Sequence, residues 1–159
     1  WMFRDPVVIR KAATFEDAWK VMELARRMHA ESVFAHIPFD EDQLTQTLLG
    51  CIGNPDDGVV LMAQNEDGTL KGFKFGVAHE FYFSKARVAH EMAMYVAPEF
   101  RGGFTCAALI KAFERWAKEE AGAMEVVIGV AANIDNDLTS AVYQRLGYEY
   151  RGPILKKVI

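Results

Sequence analysis

The chain has 159 residues, 51% of them apolar and 25% charged, with 12 Gly, 5 Pro and a formal net charge of -4. That length suits one domain with one core, 1–159, and the apolar fraction excludes a disordered chain while the low proline content excludes a fibrous one. The 18 basic and 22 acidic residues are mixed along the chain, so no polyanion-binding stripe forms and no nucleic-acid partner is expected.

Two cysteines, Cys51 and Cys106, are too few for a disulfide-built scaffold and show no metal spacing, which points to a reducing, cytoplasmic setting. His29, His36, His79 and His90 also lack zinc spacing, and no metal is expected. No apolar run approaches the roughly 18 residues of a membrane span, and Trp1, Met2, Phe3, Arg4 and Asp5 lack the order of a signal peptide. No membrane partner is expected.

In chain order, residues 7–9 read as a short strand. Thr14 with Asp17 forms a capping pair that opens a helix to about residue 30, with Ala18, Val21, Met22, Ala25 and Met28 at helical spacing. Asp40 with Gln43 opens a second helix through Leu44 and Leu48, ending near residues 50–53. The period then changes to two. Residues 59–63 form an apolar strand, and after a turn at 65–68 Phe73, Phe75, Val77, His79, Phe81 and Phe83 alternate with Lys74, Gly76, Ala78, Glu80 and Tyr82. That alternation puts His79 on the apolar face. In the next strand Val88, Met92, Met94 and Val96 face one side, and Ala89, Glu91, Ala93 and Tyr95 the other. These strands form an antiparallel meander.

Pro98 stops the meander. Leu109, Ala112, Phe113, Trp116 and Ala117 mark a long amphipathic helix closed by Gly122. Residues 126–130 form a buried strand reached by a right-handed parallel crossover. A helix over 138–146 and two short strands within 148–159 complete the chain. The expected architecture is a mixed α/β sheet with helices on its faces.

Chemistry concentrates at residues 95–109. There a strand ends, the chain turns through Gly102 and Gly103, and a helix begins, so unpaired backbone N–H groups and the positive end of a helix dipole converge where an anion would bind. Glycine lets a phosphate approach the backbone, and Arg101 can add a charge-assisted contact. The alternative is a turn whose glycines serve only backbone geometry.

This stretch resembles the GNAT superfamily, whose members transfer an acyl group from acyl-coenzyme A to an amine. In that family Arg/Gln-x-x-Gly-x-Gly/Ala at a helix start holds the coenzyme pyrophosphate on its backbone amides. Residues 101–106 carry the leading Arg101 and depart at two positions, with Phe104 at the first glycine and Cys106 at the small residue. A second block, Asn136-Asp137-Leu138-Thr139-Ser140-Ala141-Val142-Tyr143-Gln144-Arg145-Leu146-Gly147-Tyr148, resembles the family's Asn-x-x-Ala-x-x-x-Tyr-x-x-x-Gly-Phe, with Thr139 for alanine and Tyr148 for phenylalanine. Residues 28–40 also resemble a stretch of GNAT-like proteins from phage and bacterial genomes.

The resemblance implies one GNAT-like domain: a mixed, mostly antiparallel twisted sheet of six or seven strands, four flanking helices and a splayed central parallel pair. It implies acetyl-coenzyme A as cosubstrate and a primary amine as acceptor, with direct attack in a ternary complex. Coenzyme contacts would come from Met94, Tyr95 and Val96 along the pantetheine arm and from Arg101, Gly102, Gly103, Phe104, Thr105 and Cys106 around the pyrophosphate. Asn136 or Asn133 would touch the arm. A backbone N–H near Tyr95, where the family's strand bulges, would meet the oxyanion.

An alkylamine with a pKa near 10.4 is mostly protonated at pH 7, so a general base helps. Glu91 is the candidate, on the face shared with Tyr95; a structural ion pair is its alternative role. Tyr143 matches the family position that protonates the departing thiolate, and a half-buried core aromatic is its alternative. Glu31 and Ser32, at the end of the first helix, are candidate substrate contacts, with Glu31 a second candidate base. Cys106 has no paired histidine, so a packing role fits it better than a covalent one.

The acidic Asp40-Glu41-Asp42 and Asp56-Asp57 would attract a cationic acceptor or solvate loops, and residues 32–58 are where acceptor pockets vary in the family. Homodimers are common among its members, which makes a second copy a candidate partner. A non-catalytic module that keeps the fold and the coenzyme pocket is the competing function.

Overall fold

In the computed structural model, which describes residues 7–130, 132, 134 and 136–159, a single five-stranded sheet forms the centre. Its strands are β1 (Val8–Lys11), β2 (Gly58–Gln64), β3 (Leu70–Glu80), β4 (Arg87–Val96) and β5 (Ala123–Val127), in spatial order β1-β2-β3-β4-β5. The first four are antiparallel, and β5 runs parallel to β4 after the crossover. The helices are α1 (Phe15–Glu31), α2 (Glu41–Gly53), α3 (Thr105–Glu119) and α4 (Asn136–Arg145). A short 3-10 turn at Pro98–Phe100 was not foreseen in the sequence.

Both expected caps form: Thr14 accepts from the Asp17 N–H at 3.1 Å, and Asp40 from the Gln43 N–H at 2.9 Å. Asp17 also takes a forked contact from the Arg10 guanidinium at 2.9 and 2.6 Å, which ties α1 to β1 and holds the carboxyl well below the usual range.

Apolar side chains cover both faces of the sheet. Val21, Met22 and Ala25 of α1 and Leu48 of α2 pack with Val60, Met62, Phe73, Phe75 and Tyr95. Leu109, Phe113 and Trp116 of α3, at helical spacing, pack with Val59, Leu61, Ala78 and Ala89 on the other face. Lys74 alternates onto this second face and is fully buried there.

Close packing of α3 depends on Gly76. A Cβ there would lie 2.3 Å from the His90 carbonyl oxygen and 2.6 Å from the Phe113 ring. Gly76→Ala is therefore expected to destabilise the fold by about 1–3 kcal/mol through overpacking. Urea titration checks this; a midpoint equal to that of the unaltered chain would show that the sheet gives way locally.

Several expectations are corrected. Among the described residues the sheet has five strands, not six or seven. Residues 148–159 form no strand; Pro153 lacks a donor, and Ile154-Leu155, Lys156-Lys157 and Val158-Ile159 are like pairs that cannot alternate across a pleat. The parallel β4–β5 pair consequently lies at the edge of the sheet, not at its centre. β5 starts and ends three residues earlier than expected, at Ala123–Val127. β3 ends at Glu80, so Phe81 and Phe83 belong to a turn. His79 is exposed, its ring stacked on His90 with centroids 4.9 Å apart, and is not a core histidine.

Candidate active site

The β4–β5 ladder ends at the pair His90–Val127, while β4 continues to Val96. Past that point the two chains diverge and open a cleft of about 560 Å³. Glu91, Met94, Tyr95 and Val96 line it from β4, Gly129 and Val130 from the opposite side, and Ser32 from the end of α1. Its far end is the turn into α3, with Arg101, Gly102, Gly103, Thr105 and Cys106. Asn136, the first residue of α4, also lines it. Asn133 lies outside the described residues.

A bulge in β4 decides which side chains meet. The β3–β4 register pairs Phe75 with Ala93 but Gly76 with Glu91, so Met92 is the extra residue. One inserted residue reverses the parity of the strand. Glu91 therefore shares a face with Met94 and Lys74, and not with Tyr95 as alternation alone implied. Tyr95 turns to the α1 side, where its hydroxyl donates to Glu31 at 2.5 Å. The bulge itself lies three residues before the position expected from the family resemblance.

On the α3 side three polar groups converge in an apolar wall. The Tyr143 hydroxyl donates to Glu91 Oε2, and Lys74 Nζ donates to Glu91 Oε2 and, at 2.8 Å, to the Tyr143 hydroxyl oxygen. The Lys74 ammonium lies 4.8 Å from the Phe113 ring centroid and 5.2 Å from that of Tyr143. Burial pushes the Lys74 ammonium down from the ordinary lysine range, with Glu91 pulling the other way. Burial, and next the Glu91 charge, pushes the Tyr143 phenol far up, so it stays protonated at neutral pH. Tyr143 also lies 3.7 Å from Met94 Sδ, and Tyr148 meets its ring edge-on at 5.0 Å. Tyr143 is not among the residues lining the first cleft; it borders a second, open groove of about 970 Å³ between β5, α4 and residues 146–154.

At the turn into α3, Gly102 takes a φ of +89°, which favours glycine. The first i to i−4 bond of α3 runs from the Ala108 N–H to the Phe104 carbonyl, so the N–H groups of Thr105, Cys106 and Ala107 leave the helix end. Phe104 is the N-cap residue; it is 58% exposed, and the cleft is lined by its neighbours Gly103 and Thr105. Phe104 itself is not among the residues lining the cleft.

Arg101 is engaged within the chain. Its guanidinium meets Glu31 at 2.8 and 3.2 Å, its Nε donates to the Val96 carbonyl at 2.9 Å, and it lies 5.3 Å from the Tyr95 ring centroid. Arg101, then Tyr95, holds the Glu31 carboxyl below its usual range, while burial and Glu31 push the Tyr95 phenol up to about 12. Glu31 is thus a bracket between α1 and the loop and is poorly suited to serve as a base. Ser32 caps α1, its hydroxyl donating to the His29 carbonyl at 3.0 Å. The Val33 N–H to Ala132 carbonyl bond, at 3.1 Å, closes this end of the cleft. Cys106 Sγ faces Met94 Sδ at 4.0 Å, and burial raises its thiol, in line with packing.

The sequence reading missed Lys74. A lysine flanked by Phe73 and Phe75, on a face otherwise made of Gly76 and Ala78, was the available signal. Among the described residues, no helix is long and apolar enough to cross a membrane, and no group of three or more His, Cys, Asp or Glu is placed to hold a metal ion.

A parallel pair that parts beside a helix N-terminus, with a carboxylate on the wall of the cleft, frames the candidate site. The acetyltransferase (GNAT) family matches residues 18–148, and the chain belongs to that family. No curated protein matches it. Similar solved structures include a protein of Pyrococcus furiosus assigned as an acetyl transferase, 24% identical, covering 97% of this chain and 100% of its own, with a TM-score of 0.72. Another, from Clostridium acetobutylicum, is assigned as an acetyltransferase and was solved with acetyl-CoA (20% identity, 96% of each chain, TM-score 0.73). A third is the glucosamine-6-phosphate N-acetyltransferase of Arabidopsis thaliana (15% identity, 96% and 98%, TM-score 0.73). At these identities the likeness establishes the fold.

Proposed function

We propose that the chain transfers an acetyl group from acetyl-CoA to a primary amine by direct attack within a ternary complex. The observation that carries this reading is the hydrogen bond from Tyr143 to Glu91, residues far apart in sequence: Glu91 lines the cleft where β4 leaves β5, and Tyr143, which borders the neighbouring groove, reaches it from behind. The fit to the cosubstrate rests on three features. β4 runs on past the end of its ladder with β5, and its edge at Met94, Tyr95 and Val96 can receive the pantetheine amides as a strand would, the Val96 carbonyl exchanging its bond from Arg101 Nε for one from the arm. The N–H groups at the start of α3, with Gly102, Gly103 and Thr105, face an anion site. Asn136 borders the same channel.

In this reading Glu91 takes a proton from the amine, backbone N–H groups beside the Met92 bulge meet the carbonyl oxygen as charge develops there, and Tyr143 protonates the departing thiolate. The acceptor would enter past Ser32 and the loop between α1 and α2.

One observation favours the competing reading, a coenzyme-binding module without turnover: Arg101 and Glu91, the charged groups of the cleft among the described residues, are both paired within the chain, with Glu31 and Lys74. Thiol release from acetyl-CoA with a panel of primary amines, set beside calorimetric coenzyme binding, separates the two. Binding with amine-dependent thiol release is the expected result; binding without it favours the module, and no binding removes both.

A further inference from the structure

Lys74 has no part in the chemistry above, yet its fully buried ammonium contacts both groups assigned to it. Its Nζ donates to Glu91 Oε2 and, at 2.8 Å, to the Tyr143 hydroxyl oxygen, while the Phe113 and Tyr143 rings close its other sides. A buried ammonium is costly, and a methionine would fill the same space without that cost, so packing does not account for the charge. Tyr143 poses the complementary problem. Its immediate charged neighbours are the anionic Glu91, which opposes loss of the phenolic proton, and the Lys74 ammonium, which favours it.

We propose that Lys74 is the positioning residue that makes Tyr143 competent as the acid: its ammonium fixes the hydroxyl and balances the negative charge that forms on that oxygen when the proton leaves. This rests on the acetyl-transfer reading above. The amine nitrogen bonds to the thioester carbon, the C–S bond breaks with its electron pair going to sulfur, Glu91 accepts one amine proton and Tyr143 gives its proton to sulfur. Lys74 holds the phenolate until Glu91 returns the proton across their existing hydrogen bond. One proton enters the trio and one leaves it, and no water is consumed.

The test compares the unaltered chain with Lys74→Met, Tyr143→Phe and the double variant, by steady-state thiol release, coenzyme calorimetry and thermal melting. Lys74→Met is expected to lower kcat about 100-fold or more, with coenzyme affinity within about twofold. The double variant should be no slower than either single one, because the two residues act as one unit. A Lys74→Met kcat within about threefold of the unaltered chain, or losses that multiply in the double variant, would overturn the proposal. Should Lys74→Met fail to fold, Lys74→Arg carries the test: it keeps the charge and should retain kcat to within about tenfold, whereas a folded Arg variant as slow as Tyr143→Phe overturns the idea. Failure of the underlying reading looks different, since the unaltered chain would then release no thiol, or Tyr143→Phe would be fully active.

Discussion

Tyr143→Phe is expected to lower turnover about 10²- to 10⁴-fold while coenzyme affinity stays nearly unchanged. The ring, with Tyr148 edge-on at 5.0 Å, remains in place, so the pocket keeps its shape. Only the hydroxyl is lost, and with it the donor to Glu91 and the acceptor for Lys74. Leaving those buried partners short of one bond each costs about 1–3 kcal/mol of stability. Steady-state thiol release alongside calorimetric titration of coenzyme A measures both sides of the expectation. Undiminished turnover would remove Tyr143 from the chemistry and leave it as a core aromatic.

Glu91→Gln should act on stability as well as on rate. Without the carboxylate, a fully buried ammonium loses its counter-charge, and breaking a buried pair in this way costs about 3–5 kcal/mol. Turnover should fall by about 10² or more, because the amide cannot accept the amine proton. The pH dependence has a definite sign. Burial already holds Lys74 below its unfolded value near 10.4, and removal of Glu91 lowers it further. The unfolded chain then binds more protons than the folded one between the two values, so stability rises with pH across that window. The melting temperature of Glu91→Gln should accordingly climb from pH 7 toward pH 10 more steeply than that of the unaltered chain. Parallel curves would mean that Lys74 is not the group left unpaired.

Much of the fold was legible because local signals agreed with tertiary burial. Thr14 and Asp40 cap the helices expected of them, and the α3 stripe of Leu109, Phe113 and Trp116 faces the sheet as its spacing implied. Glu91, Met94, Tyr95, Val96, Arg101, Gly102, Gly103, Thr105, Cys106, Asn136 and Ser32 all reach one cleft. What escaped was register. Nothing in the run 87–96 marks Met92 as an extra residue, since a bulge follows from how two strands pair and not from the composition of either. The face assigned to Glu91 was wrong for that reason, and its bond to Lys74 was invisible. Alternation also assumes one wet face, whereas here α3 covers the side that carries Lys74. The terminal strands failed for the opposite reason: apolar residues are present in 148–159, but they come in adjacent pairs. The pairing of Arg101 with Glu31 joins residues distant in sequence, and no local pattern could announce it.

The extra residue at position 92 also limits how this protein can be altered. Were the bulge ironed out with every residue kept, alternation would run unbroken from Glu91 to Met94 and turn one half of the strand over relative to the other. The carboxylate and the sulfur of Met94 would then point to opposite walls, and the acidic group would stand among aliphatic neighbours of the first helix. New specificity can therefore be introduced here by exchanging side chains where they stand, whereas removal of Met92 would keep the two groups on one wall and forfeit only the local bend of the strand.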